Sequence, residues 1–100
     1  MKTMRDPNRK PTHPGEVLRV DVLPALKMTQ GELARRLGVS RLSVSDLLLE
    51  KRALSPDMAV RIAKLSNTSP ESWLQMQEAL ELWELQQDPA RYRHIEPIVA

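Results

Sequence analysis

Residues 29–48 read TQGELARRLGVSRLSVSDLL, a stretch suited to one long helix except for the Leu-Gly-Val-Ser at its centre. Thr29 and Glu32 form a T-x-x-E capping box, which opens a helix by satisfying backbone N–H groups that have no intrahelical acceptor. Leu33, Ala34 and Leu37 give that helix an inward face. Gly38 can adopt the left-handed conformation that closes it, and Ser40 can cap the next one. The glycine therefore splits one helix into two and turns the chain sharply between them. Ala34 supplies the small side chain needed where the two backbones approach, and Val44 and Leu47 pack the second helix back on the first. This is the arrangement of a helix-turn-helix.

Working outward, Pro14-Gly15-Glu16 predicts the start of a first helix, with Val17, Leu18, Val22 and Leu23 as its apolar face. Pro24 is expected to end it, because the proline ring cannot continue the hydrogen-bond ladder. Ser55-Pro56-Asp57 and Ser69-Pro70-Glu71 repeat one start signal: a serine cap, a proline at the first position, then an acid. The helix after Ser55 carries Met58, Ala59, Ile62, Ala63 and Leu65. The longer one after Ser69 carries Trp73, Leu74, Met76, Leu80, Leu82, Trp83 and Leu85. A short extra turn is expected near residues 90–94, and Ile95 to Val99 read as extended. The fold class is all-α, a five-helix bundle with an extended C-terminal helix. Residues 1–12 are read as a flexible basic arm, 13–68 as the helix-turn-helix core, and 69–100 as the C-terminal helix and tail, all in one structural domain.

Composition agrees. The 100 residues are 41% hydrophobic and 28% charged, with no Phe and no Cys. Scarce aromatic β-formers favour helices, and the lack of Cys excludes disulfides, thiolate metal sites and cysteine nucleophiles. No apolar run is long enough for a membrane helix and the N-terminus lacks the apolar segment of a signal peptide, so a cytoplasmic protein is expected. Charge is unevenly spread. Residues 1–68 hold thirteen Lys/Arg against seven Asp/Glu, whereas residues 69–100 hold two against six. A cationic front and an anionic back suit a polyanionic partner on one side only.

The residues of the second helix that packing does not use are Arg41, Leu42, Ser43, Ser45 and Asp46. They fall on the face and N-terminal end that enter the DNA major groove in this motif. Arginine can donate two bonds to guanine, serine can bond bases or phosphates, and leucine can contact a thymine methyl. Thr29, Gln30 and Ser40 stand at helix N-termini, where Gln30 and nearby backbone N–H groups can hold a phosphate. Lys51 and Arg52 are further phosphate candidates. Asp46 either repels phosphate or orients Arg41.

The sequence offers an enzyme little. His13 and His94 are far apart, and there is no H-E-x-x-H, phosphate-cradling glycine loop or nucleophile elbow. Glu71, Glu78, Glu81 and Glu84 read as a solvated helix face. No cofactor and no metal are expected.

His13-Pro14-Gly15-Glu16-Val17-Leu18, TQGELARRLGVSRLSVS, Ser55-Pro56-Asp57-Met58-Ala59 and Ser69-Pro70-Glu71-Ser72-Trp73-Leu74 with Gln77 resemble the HigA antitoxins. These are a branch of the Xre/Cro and lambda-repressor-like helix-turn-helix family, and the resemblance covers residues 13–85. It implies a homodimer that binds a palindromic operator in double-stranded DNA, represses its own operon and neutralises a HigB-type mRNA-interferase toxin. Two positions depart from the pattern: Glu50 stands where relatives commonly have glycine, and Val20 where a polar or acidic residue is usual. A stand-alone repressor without a toxin and a helical interaction module that does not bind DNA are the alternatives. Trp73, Met76, Leu80 and Trp83 are assigned to the dimer contact because they form more apolar surface than one small domain readily covers; packing of both indoles in the monomer core is the competing reading. The arm with Lys2, Arg5, Arg9 and Lys10 could fold on a partner, follow DNA, or do neither.

Overall fold

A helix that starts on proline and passes a second proline ten residues later needs a local irregularity, and the first helix has one. The structure, a computed structural model, describes residues 9–99. In it α1 covers residues 14–26 in three consecutive pieces: α-helical Pro14–Val17, π-helical Leu18–Val22 and α-helical Leu23–Leu26. In the π segment the Leu23 N–H donates to Leu18 O, five residues back. That wider turn stands directly before Pro24, where an α-helix would drive the proline ring against the carbonyl four residues earlier. The helix therefore passes Pro24 instead of ending there, and stops at Lys27, which is left-handed (φ 53). His13 caps its start, the Nδ1 accepting from the Gly15 N–H at 2.9 Å.

The next helices are α2 (Gln30–Leu37), α3 (Arg41–Leu48), α4 (Pro56–Ser66) and α5 (Pro70–Gln86), followed by a 3-10 turn at Pro89–Tyr92. Four serine or threonine caps hold the starts of α2 to α5: Thr29, Ser40, Ser55 and Ser69 each accept from the backbone N–H three residues on. Each such cap contributes about 1 kcal/mol. Residues 95–99 have no regular secondary structure. Of the basic arm, Lys2 and Arg5 lie outside the described residues. Pro11 is buried, and Lys10 reaches Glu84 of α5 at 3.9 Å.

The core sits where α1 to α5 converge, on Leu18, Leu33, Leu37, Val44, Leu47, Leu48, Leu54, Met58, Ala59, Ile62 and Trp73. The start of α1 presses on the end of α3 so closely that a Cβ on Gly15 would lie 1.9 Å from Leu47 O. Buried Gln77 ties α5 to the loop before α4, its Oε1 accepting from the Leu54 N–H at 2.8 Å.

Residues 73, 77 and 80 form the inward stripe of α5, spaced i, i+4, i+7. Trp73 and Leu80, assigned above to a dimer contact, therefore pack into the chain's own interior at 4% and 3% exposure. The Trp73 Nε1–H donates to Thr68 Oγ1 at 2.8 Å. Met76 and Trp83 are only half-buried, and Leu82 and Leu85 beside them are exposed.

Candidate nucleic-acid interface

The local chemistry that builds α3 also determines which of its side chains face outward. Gly38 is left-handed (φ 71) and closes α2, with its own N–H donating to Arg35 O and the Val39 N–H donating to Ala34 O. This paired closure satisfies carbonyls that α2 would otherwise leave bare. Ser40 then starts α3, its Oγ accepting from the Ser43 N–H at 3.0 Å. The capping box at Thr29 is half formed. Thr29 Oγ1 accepts from the Glu32 N–H at 3.1 Å, but the Glu32 carboxylate is taken by Arg36 at 3.0 Å and Arg35 at 3.8 Å.

The packing residues of α3, Val44, Leu47 and Leu48, are all buried at 2% exposure or less. Arg41 and Leu42 are exposed, Leu42 at 66%, while Ser43, Ser45 and Asp46 are half-buried along the flank. Thr29, Gln30, Ser40, Lys51 and Arg52 are exposed as well. The Arg41 guanidinium lies over the start of α2, where a Cβ on Gly31 would come within 3.3 Å of its Cζ. Among the described residues Arg41 and Lys51 make no ion pair within 4.0 Å. An exposed cation on the first turn of α3 and another just past its end frame an exposed leucine.

Asp46 does not orient Arg41. Its carboxylate stands 3.6 Å from Arg52 Nη2, while Arg52 Nη1 donates to Ser43 Oγ at 3.1 Å. Sequence reasoning also missed three positions that hold α3 in place. Arg61 of α4 donates to Leu37 O at 2.8 Å and Gly38 O at 3.5 Å, bracing the turn before α3. Arg19 of α1 donates to Leu48 O and stands 3.5 Å from the Glu50 carboxylate, bracing the turn after it. Gly31 leaves the space that Arg41 occupies. A glycine inside a helix costs about 1 kcal/mol relative to alanine, and that cost was the one available sign of close approach at residue 31.

A helix-turn-helix family model matches residues 22–73. The HTH-type transcriptional regulator YbaQ of Escherichia coli strain K12 is 42% identical over 83 residues, covering 83% of this chain and 74% of the relative. Antitoxin HigA-1 of Vibrio cholerae is 36% identical over 81 residues, covering 81% of this chain and 76% of the relative. Among solved structures, antitoxin HigA of Pseudomonas aeruginosa with the higBA promoter has a TM-score of 0.83 at 34% identity, covering 90% of this chain and 100% of that one.

Proposed function

Because the chain belongs to the HigA-type antitoxin branch of the helix-turn-helix family, we propose that it grips DNA with α2 and α3 and represses its own operon as a homodimer. On this reading it also neutralises a HigB-type mRNA interferase. It is a DNA-binding regulator and not an enzyme. The observation that carries the reading is the exposed start of α3: Arg41 and Leu42 project outward while Val44, Leu47 and Leu48 anchor the helix beneath them.

The roles follow from chemistry. Arg41 donates to guanine O6 and N7 and Leu42 meets a thymine methyl. Ser43 and Ser45 bond along the same groove. Thr29, Gln30 and Ser40 bring the N-termini of α2 and α3 to phosphates, and Lys51 holds a phosphate beyond α3. A homodimer sets two copies of α3 about 34 Å apart, one turn of DNA, which calls for a palindromic operator. Half-buried Met76 and Trp83 with exposed Leu82 and Leu85 supply the apolar surface for pairing. No helix among the described residues is long and apolar enough to cross a membrane, and the reading puts the protein in the cytoplasm with its DNA.

Footprinting on the DNA upstream of the chain's own gene tests the proposal, with protection of two half-sites one helical turn apart expected. Arg41→Ala should weaken operator binding by about 1–3 kcal/mol and relax the preference at its base pair. Equal loss on random DNA would make Arg41 a phosphate contact instead. Similarity to a relative named only as a transcriptional regulator favours a second reading, a repressor with no toxin. Co-expression with the product of the neighbouring gene separates the two: a complex surviving purification supports the antitoxin, and its absence supports the stand-alone repressor.

A further inference from the structure

The chain turns back on itself when it leaves α3. Glu50 is left-handed (φ 62), and the Lys51 N–H donates to Asp46 O at 2.8 Å. The reversal lays the next side chain, Arg52, across the flank of α3. There it contacts Ser43 and Asp46, one helical turn apart on the same face. Ser43 Oγ accepts a second bond from Ser40 Oγ at 2.9 Å. With both its lone pairs occupied, the Ser43 hydroxyl can only donate. The guanidinium likewise only donates: one of its nitrogens is hydrogen-bonded to the Ser43 hydroxyl, and a second is drawn to the Asp46 carboxylate 3.6 Å away, an ion pair that biases the orientation of the fork.

Such a bias matters for one kind of target. A phosphate accepts a cation from many directions, and the Asp46 carboxylate beside it would oppose the contact. A base edge is uncharged, and reading it demands that a planar fork be held in one orientation. Arg19 and Arg61 are held at two points as well, but on backbone carbonyls at the ends of α3 and α2. Of the three cations proposed for DNA, Arg41, Lys51 and Arg52, only Arg52 has an ion-pair partner among the described residues, and it is the one laid along the face of α3. We propose that Arg52 determines sequence specificity by reading a guanine in the major groove of the operator, and that Asp46 is the positioning residue that aims it. This moves Arg52 from the phosphate contact expected from sequence to a base contact. It rests on the reading of α3 as the DNA-recognition helix.

The test uses the full chain, its footprinted operator, a panel of that operator with each base pair replaced in turn, and random DNA of equal length. Arg52→Lys keeps the charge and removes the fork. It should weaken binding to the operator by roughly 10- to 100-fold and erase the preference for guanine at one base pair per half-site, with random-DNA binding unchanged. Asp46→Asn should weaken operator binding by roughly 3- to 10-fold and relax that same base pair, and the effect should vanish in the Arg52→Lys background. A merely structural pair would instead lower the thermal midpoint and leave the base preference intact, which would overturn the proposal. So would wild-type operator affinity in Arg52→Lys, the result expected of a phosphate contact that lysine can replace. A wild-type chain with no footprint would sink the DNA reading itself. A clear wild-type footprint with unaltered preference in both variants would sink only the assignment of Arg52 and Asp46.

Discussion

The turns on either side of α3 are built to one plan and filled with different residues. At each, one left-handed residue reverses the chain and its N–H donates to a carbonyl three residues back, while the following N–H donates to a carbonyl five residues back. At each, an arginine from another helix donates to the last helical carbonyls: Arg61 from α4 at the first turn and Arg19 from α1 at the second. The left-handed residue is Gly38 before α3 and Glu50 after it. Glycine takes that conformation without strain, whereas any residue with a Cβ meets a cost of about 1–2 kcal/mol. Glu50 offsets part of the cost with its carboxylate, 3.5 Å from Arg19. The same backbone geometry can therefore be reached by removing a side chain or by engaging one. The resemblance that expects glycine at residue 50 and the chain that has glutamate there agree about the backbone.

The comparison breaks hardest at Gly38. Gly38→Val should destabilise the fold by about 1–3 kcal/mol in chemical denaturation, because a branched side chain is forced into the left-handed region. Its Cβ would also lie 3.3 Å from Arg61 Nη1. A loss near zero would mean that the turn can be rebuilt another way. Removing the brace from the second turn, Arg19→Ala, should cost about 1–2 kcal/mol, the lower part of the range for a hydrogen bond from a charged donor because the guanidinium is partly exposed. An unchanged midpoint would show the contact to be solvated away. Ser40→Ala should cost about 1 kcal/mol through the lost cap. It should also weaken operator binding, because Ser43 loses the hydroxyl that bonds it. The smallest effect is expected from Glu50→Gly. Relief of backbone strain and loss of a half-exposed ion pair worth under about 1 kcal/mol nearly cancel, leaving the fold equal or slightly more stable. A clear loss of stability would show that Arg19 holds Glu50 more firmly than a solvated pair.

What the sequence made legible was whatever is settled within about four residues. The caps at Thr29, Ser40, Ser55 and Ser69, the turn at Gly38 and the apolar faces of α2 and α3 are all local, and the exposed Arg41 and Leu42 follow from them. The braces were hidden because their partners are distant in sequence. Arg61 reaches back 24 residues to Leu37, Arg19 reaches forward 29 to Leu48, and Gln77 finds Leu54 across 23. Pro24 misled for a different reason. Proline ends an α-helix by rule, and whether five residues before it will open into a π turn depends on packing that no local pattern encodes. The inward stripe of α5 was obscured because leucines surround it: Leu74, Leu82 and Leu85 are as apolar as Leu80, and only Leu80 is buried. Arg52 was assigned by charge, but its contacts with Ser43 and Asp46 depend on a chain reversal at a residue that is not glycine.

Trp73 and Trp83 occupy dissimilar surroundings on one helix. Trp73 is sealed in the interior with its N–H bonded to Thr68, while the Trp83 ring is half-exposed and its N–H is buried without an acceptor among the described residues. The protein thus carries two optical reporters with separate duties. With Trp83 replaced by Phe, the remaining emission follows the melting of the interior; with Trp73 replaced, it follows whatever docks on the outer side of the last helix. Titrating protein concentration through the second signal reads subunit pairing without any added label.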